Sequence, residues 1–184
     1  MIAWMPAPDL RTAIRTLAVI QPAHVRDHAE TAALRPLVGE FQLRGSIPAG
    51  ALATDQPEMR SEGTHVGRAV MDGLFLEFDI ADVATTGSIK VPWKARILLG
   101  FDRQDGVYRA AIADSQGTMG FLEGKLEGTR LRMNLKSKNT IDGRPFNYRL
   151  TFDMRDHASI SFSSEVQHDT GDWVLTEKKQ LTKQ

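Results

Sequence analysis

The stretch His65-Val66-Gly67-Arg68-Ala69-Val70-Met71-Asp72-Gly73-Leu74-Phe75-Leu76-Glu77-Phe78-Asp79-Ile80 reads as two strands joined by a tight turn. Asp-Gly is a favoured pair for a two-residue type I′ loop, because both central positions need a positive φ. With Met71 and Leu74 flanking that loop as a pair, the register follows. Ala69 opposes Leu76, Gly67 opposes Phe78 and His65 opposes Ile80, so one face sets small residues against large ones, as the tapered interior of a small barrel requires. On the reverse face Val70 opposes Phe75 and Arg68 opposes Glu77. Such an opposite-charge pair contributes roughly 0.2–1 kcal/mol and supports the register independently.

The same period of two recurs along the chain. Ile89, Val91, Trp93, Ala95, Ile97, Leu99 and Phe101 share one face, while Lys90, Lys94 and Arg96 share the other. Leu131, Met133 and Leu135 repeat the pattern, as do Phe146, Tyr148, Leu150 and Phe152. Strands are expected to begin near Val38, Arg60, Leu74, Ser88, Val107, Thr118, Arg130, Pro145, Ser159 and Trp173. About ten hairpin-connected strands with no helical crossover predict a closed antiparallel up-and-down β-barrel, since closure alone removes both edges. Ile47 to Glu58, with Pro48, Gly50 and Pro57, reads as a long loop at the barrel mouth, and Asp169 to Asp172 as a hairpin turn.

Upstream of Pro36 the period changes. Leu10, Ile14 and Leu17 recur at helical spacing, and a second helical stretch runs from His24 through Ala33 until Pro36 stops it. The expected organisation is an N-terminal helical extension over 1–36 and a barrel over 37–184.

Composition narrows the function classes. The chain has 184 residues, enough for a self-sufficient core, and no cysteine, which excludes disulfides, zinc-cysteine sites and thiol nucleophiles. Lys and Arg total 23 against 23 Asp and Glu, so the basic bias of a nucleic-acid or acidic-membrane partner is missing. The longest early apolar run, Leu17 to Ile20, is too short for a signal peptide or a membrane span; the default location is cytoplasmic. Redox compartment and homo-oligomeric state are not readable from these features.

Several segments resemble, in order and spacing, a bacterial domain-of-unknown-function family, the one numbered 1579. They are Leu37-Val38-Gly39-Glu40-Phe41, Asp72-Gly73-Leu74-Phe75-Leu76, Leu99-Gly100-Phe101-Asp102, Tyr108 and Asp114-Ser115-Gln116-Gly117-Thr118. The resemblance runs from about Leu34 to the C-terminus and implies a calycin-like, lipocalin-related barrel with an internal cavity. This chain departs from the family pattern at Phe41, where the family usually has Trp, and at Ile112, near which it has an aromatic residue.

Candidate chemistry is sparse. His24 and His28 lie four apart, as a two-histidine metal site on a helix would need, but position 25 is Val25 rather than the glutamate of a metalloprotease motif, and no third ligand stands nearby. No metal is expected. No nucleophile elbow, phosphate loop or dinucleotide fingerprint occurs, and no cofactor is implied. His65 falls on the apolar face, where a neutral imidazole offers a hydrogen bond to a ligand, with a barrel-end position hydrogen-bonded to a loop as the alternative. Phe41, Phe78 and Trp93 are candidate cavity wall, with core filling as the alternative for Trp93. Tyr108 and Asp114 complete the candidate ligand-binding set, Asp114 with an ordinary turn role as its alternative. Three functions remain open: a barrel binding a small hydrophobic ligand; a cavity enzyme of isomerase or cyclase type using His65, Tyr108 or Asp114; and an interaction module with a filled core.

Overall fold

The computed structural model describes residues 29–51, 53–136, 139–141, 144–168 and 171–184. Strands β2 (Met59–Val70) and β3 (Phe75–Thr86) pair with Val70 on Phe75, Ala69 on Leu76, Arg68 on Glu77, Gly67 on Phe78 and His65 on Ile80, the register derived from the Asp-Gly turn. Two details differ. Met71 and Leu74 do not pair as strand residues: Met71 itself takes a positive φ of 51°, which swings its peptide out of the ladder, and the Leu74 amide bonds the Met71 carbonyl at 3.1 Å. Asp72 (φ 56°, ψ 29°) and Gly73 (φ 84°) keep the type I′ twist. The second difference is Arg68, which donates to Asp79 at 2.6 Å rather than to Glu77, while Arg96 reaches both Glu77 at 3.2 Å and Asp79 at 2.8 Å. Diagonal neighbours lie within reach of so long a side chain. Bonds from Arg68 and Arg96 hold the Asp79 carboxyl below the usual carboxylate range.

The wall continues from β1 (Gly39–Ile47), before β2, through β4 (Ile89–Asp102), β5 (Val107–Asp114), β6 (Met119–Glu127), β7 (Arg130–Leu135), β8 (Asn139–Ile141), β9 (Arg144–Asp153), β10 (Ser159–His168) and β11 (Val174–Lys183). Every pairing is antiparallel. The β10–β9 and β1–β11 ladders close the ring, so ten strands form a barrel. The eleventh, β8, was not anticipated from its three-residue pattern. It lies on the same edge of β9 as β7, pairing Phe146 to Arg144 where β7 pairs Asp153 to Arg149, so the two act as one interrupted strand.

One end of the ring is capped and filled. The one-turn helix α1 (Ala29–Ala32) and a 3-10 turn over Arg35–Leu37, which contains Pro36, bring Leu34 and Leu37 to 0% exposure in the core. They meet Phe41, Leu76, Phe78, Leu99 and Leu181, all nearly inaccessible. The close approach is specific: a Cβ on Gly67 would lie 2.0 Å from the Leu37 carbonyl oxygen, so only glycine lets the segment settle on the rim. Tyr108 fastens it further, its hydroxyl donating to the Glu30 carbonyl at 2.8 Å. Tyr108→Phe is expected to lower unfolding free energy by about 0.5–1.5 kcal/mol in a urea titration, the net worth of one buried hydrogen bond; no change would mean that the cap is held by apolar contact alone. The first expected helix and most of the second, with His24 and His28, lie outside the described residues.

The opposite end holds the loop between β1 and β2, where it was expected, closed by a Gly50 amide to the Gln56 carbonyl at 2.8 Å. Ile89 and Val91 were expected on the buried face of β4. They have the correct parity, yet are 59% and 41% exposed, because the β4–β5 ladder stops at Ala95 opposite Asp114 and leaves the β3–β4 hairpin projecting past the ring.

Candidate functional site

Inward positions toward the mouth are not apolar throughout. Continuing the β3 alternation beyond Ile80 puts Asp82 inside, where it is 6% exposed. Ser61 of β2 donates to it, with its hydroxyl 2.8 and 2.7 Å from the two carboxylate oxygens. Lys179 of β11 reaches in from the other side and bonds both Asp82 and Glu177. The lysine stem passes over Gly45, where a Cβ would lie 2.6 Å from Lys179 Cγ and 2.1 Å from the Lys178 carbonyl oxygen. Asp82 in turn stands opposite Gly63. Two glycines on adjacent strands thus make room for a buried ion pair.

A bulge between β10 and β11 supports this group: Ser164 pairs Glu177, and the next ladder pair is Glu165 with Leu175, leaving Thr176 extra. Thr176 turns inward and shares a hydrogen bond with Ser164 at 2.9 Å. Tyr148 of β9 also hydrogen-bonds Ser164. Burial, reinforced by the nearby Glu177 charge, pushes the Tyr148 hydroxyl up to about 12, and burial likewise raises Glu177 above the ordinary carboxylate range.

His65 lies between the filled end and this polar group, 1% exposed. Its ring packs against Phe78 at 4.9 Å, Phe41 at 5.8 Å and Phe152 at 6.3 Å between centroids. Burial lowers its pKa to about 4, so the imidazole is neutral at physiological pH. Its Nε2 has no hydrogen-bond partner among the described residues.

The six candidate residues therefore separate. Phe41, Phe78 and His65 form one aromatic cluster. Tyr108 belongs to the capped end. Asp114 is a turn residue, its Oδ1 accepting the amides of Gln116 at 2.9 Å and Thr118 at 3.0 Å. Trp93 is half-buried at the mouth opposite Asp82, its indole N–H 3.5 Å from Asp114 Oδ2. His65 and Asp114 occupy one cross-strand row, but β3 and β4 intervene, roughly 14 Å along the wall. The acid-base candidates are not assembled around one point. Asp82, Glu177, Lys179, Ser61 and Tyr148 were not singled out from the sequence.

A separate concavity of about 430 Å³ lies on the wall around Thr64, Asp79, Lys94 and Arg96, whose parity is outward. Among the described residues no group of three or more His, Asp or Glu is arranged for a metal, and no helix is long and apolar enough to cross a membrane.

No curated protein matches the chain. Among solved crystal structures, Rv2717c from M. tuberculosis is similar with a TM-score of 0.58 at 15% identity, over 85% of this chain and 98% of that one. At that identity the likeness shows the fold alone. The order of segments around the ring has a sequence counterpart as well: residues 26–182 match the family described as protein of unknown function DUF1579, and the chain belongs to that family.

Proposed function

We propose that the barrel is a binding protein for a small, largely hydrophobic molecule, held in the mouth half of its interior. The observation that carries this reading is Tyr148. It shares the inward face of β9 with Leu150 and Phe152, both 4% exposed, yet is itself only partly buried. Ile80, Ile112, Leu135 and Phe162 share that property: each faces inward and packs on the core while remaining only partly buried. A filled barrel would bury them as completely as Leu76 or Leu99 at the capped end. An interior of apolar wall with a few convergent polar groups is the usual chemistry of a ligand site.

Displacement of an environment-sensitive apolar dye, with native mass spectrometry of protein purified from cells, tests the reading. Ile112 faces the interior beside Gly120, so Ile112→Trp fills the space. We expect it to weaken dye binding by about tenfold or more, with far-UV circular dichroism unchanged. Phe121, 61% exposed on the outer wall beside Met119, is the control. If Phe121→Ser removes dye binding and Ile112→Trp does not, the dye sits on the wall and the interior reading fails.

A further inference from the structure

On one strand the outer wall departs from its own pattern. Alternation assigns Met119, Phe121, Glu123, Lys125 and Glu127 of β6 to the outside, with Leu122 and Leu126 facing in. Outward positions of a half-buried strand are ordinarily polar, as the last three are. Met119 and Phe121 are instead large and apolar, 69% and 61% exposed. Their cross-strand neighbours on β5 are alanines: Phe121 stands opposite Ala111 and Met119 opposite Ala113. On β4, Leu98 extends the row of Phe121 and Ala111 and is 37% exposed. The wall thus carries a ridge of two large side chains on β6 beside a furrow of two small ones on β5. Contiguous exposed apolar surface of this kind marks an interaction surface.

Ridge and furrow select the occupant. A two-fold axis lying in the contact plane, parallel to the strands and between β5 and β6, exchanges the two columns. Phe121 of each copy then falls on Ala111 of the other, and Met119 on Ala113, so large meets small at every position. An axis running across the strands sets Phe121 on Met119 and Ala111 on Ala113, a collision beside a void, which close packing disfavours. Charge agrees with the first arrangement. Arg109 and Glu123 form the next row, both pointing outward and both with exposed side-chain surface. The same exchange sets Arg109 of each copy against Glu123 of the other, two opposite-charge contacts in every dimer. Strands of the two copies run aligned, one of the two ways in which sheets pack face to face. Aromatic residues, Met and Arg are also the types enriched where proteins meet.

We propose that the outer wall of β4, β5 and β6 is a self-association surface, on which a second copy of this chain packs face to face about the axis between β5 and β6. The contact is isologous, so it closes at the dimer. With two anchoring side chains per copy it is a weak interface, dissociating at roughly 10 μM. It lies outside the ring, and its test is independent of any ligand within.

Sedimentation velocity of the whole chain from about 1 to 200 μM brackets that value and is expected to show a monomer–dimer equilibrium. Phe121→Glu is expected to weaken it by about thirtyfold or more, with far-UV circular dichroism unchanged. Ile89→Glu, an exposed apolar position on the β3–β4 hairpin, is expected to leave it intact. Glu123→Lys and Arg109→Glu each set like charges opposite one another and weaken association when present alone. Mixed, the two variants restore opposite charges at both contacts, and their heterodimer is expected to form about tenfold more tightly than either homodimer. A role for these residues confined to their own chain gives no such recovery. Should Arg109→Glu fail to fold, because it abandons Asp102 and Asp105, Phe121→Glu decides alone. A wild-type chain that stays monomeric throughout overturns the proposal, as does a dimer lost in Ile89→Glu and kept in Phe121→Glu. Association that depends on Phe121 but does not recover on mixing overturns the axis. Peroxide oxidation of Met119 is expected to slow as protein concentration rises; slow oxidation in a monomer at every dilution would give the surface to another part of the same chain, against the proposal.

Discussion

Lys179→Met is expected to lower the unfolding free energy by about 3–5 kcal/mol near pH 8, the cost typical of removing one partner from a buried ion pair. The lysine and aspartate side chains are 3% and 5% exposed, so solvent screens little of the loss. Methionine keeps the stem that lies across Gly45, which separates charge from packing. The deficit should shrink on acidification, because burial raises the Glu177 carboxyl above the ordinary range and its protonation removes a charge left unpaired. Combining Lys179→Met with Asp82→Asn should recover much of the stability, since a neutral group still accepts from Ser61. Urea titrations of the two variants at two pH values decide the matter. A single variant within about 1 kcal/mol of wild type would show that the pair is compensated elsewhere.

His65→Phe is expected to act in the opposite direction. Phenylalanine keeps the ring contacts to Phe41, Phe78 and Phe152 and deletes a buried nitrogen without a partner, a gain of about 1–2 kcal/mol near pH 8 less any crowding cost. Acid enlarges the difference. The folded pKa is about 4 against 6.5 for the free side chain, so the unfolded chain binds a proton that the folded one refuses. Wild-type stability is unaffected by this group well above pH 6.5 and falls as pH drops towards 4, by roughly 3 kcal/mol over the window. The variant lacks that loss. Every carboxylate is common to both proteins, so their difference isolates the histidine. Parallel stability curves between neutrality and pH 4.5 would sink the prediction. A variant that is more stable yet binds the dye less well would mark His65 as kept for the ligand.

The register at Asp72-Gly73 was legible because a type I′ loop and the burial of one face each allow a single pairing, and the two agree. Strand starts were legible for a similar reason: alternation and turn residues are local. Arg68 was assigned its cross-strand partner, but the long guanidinium took the diagonal one, which depends on where Arg96 and Asp79 come to lie. Asp82 lay two residues beyond the last position used in the alternation, and its inward parity could have been read there. Lys179 could not. It lies 97 positions from Asp82, its strand carries a bulge that breaks simple alternation, and its charge argues locally for solvent.

What the sequence determined by itself is the wall: an all-β ring of ten strands, its hairpin register and the faces that turn inward. These follow from period, turn chemistry and the need to remove sheet edges. What only the tertiary structure decided is how the inside divides, with a filled apolar end under Leu34 and Leu37 and a polar mouth around Asp82, Lys179 and Glu177. Closure sets β11 beside β1 and brings residues from opposite ends of the chain within hydrogen-bond reach, and no local pattern encodes that distance.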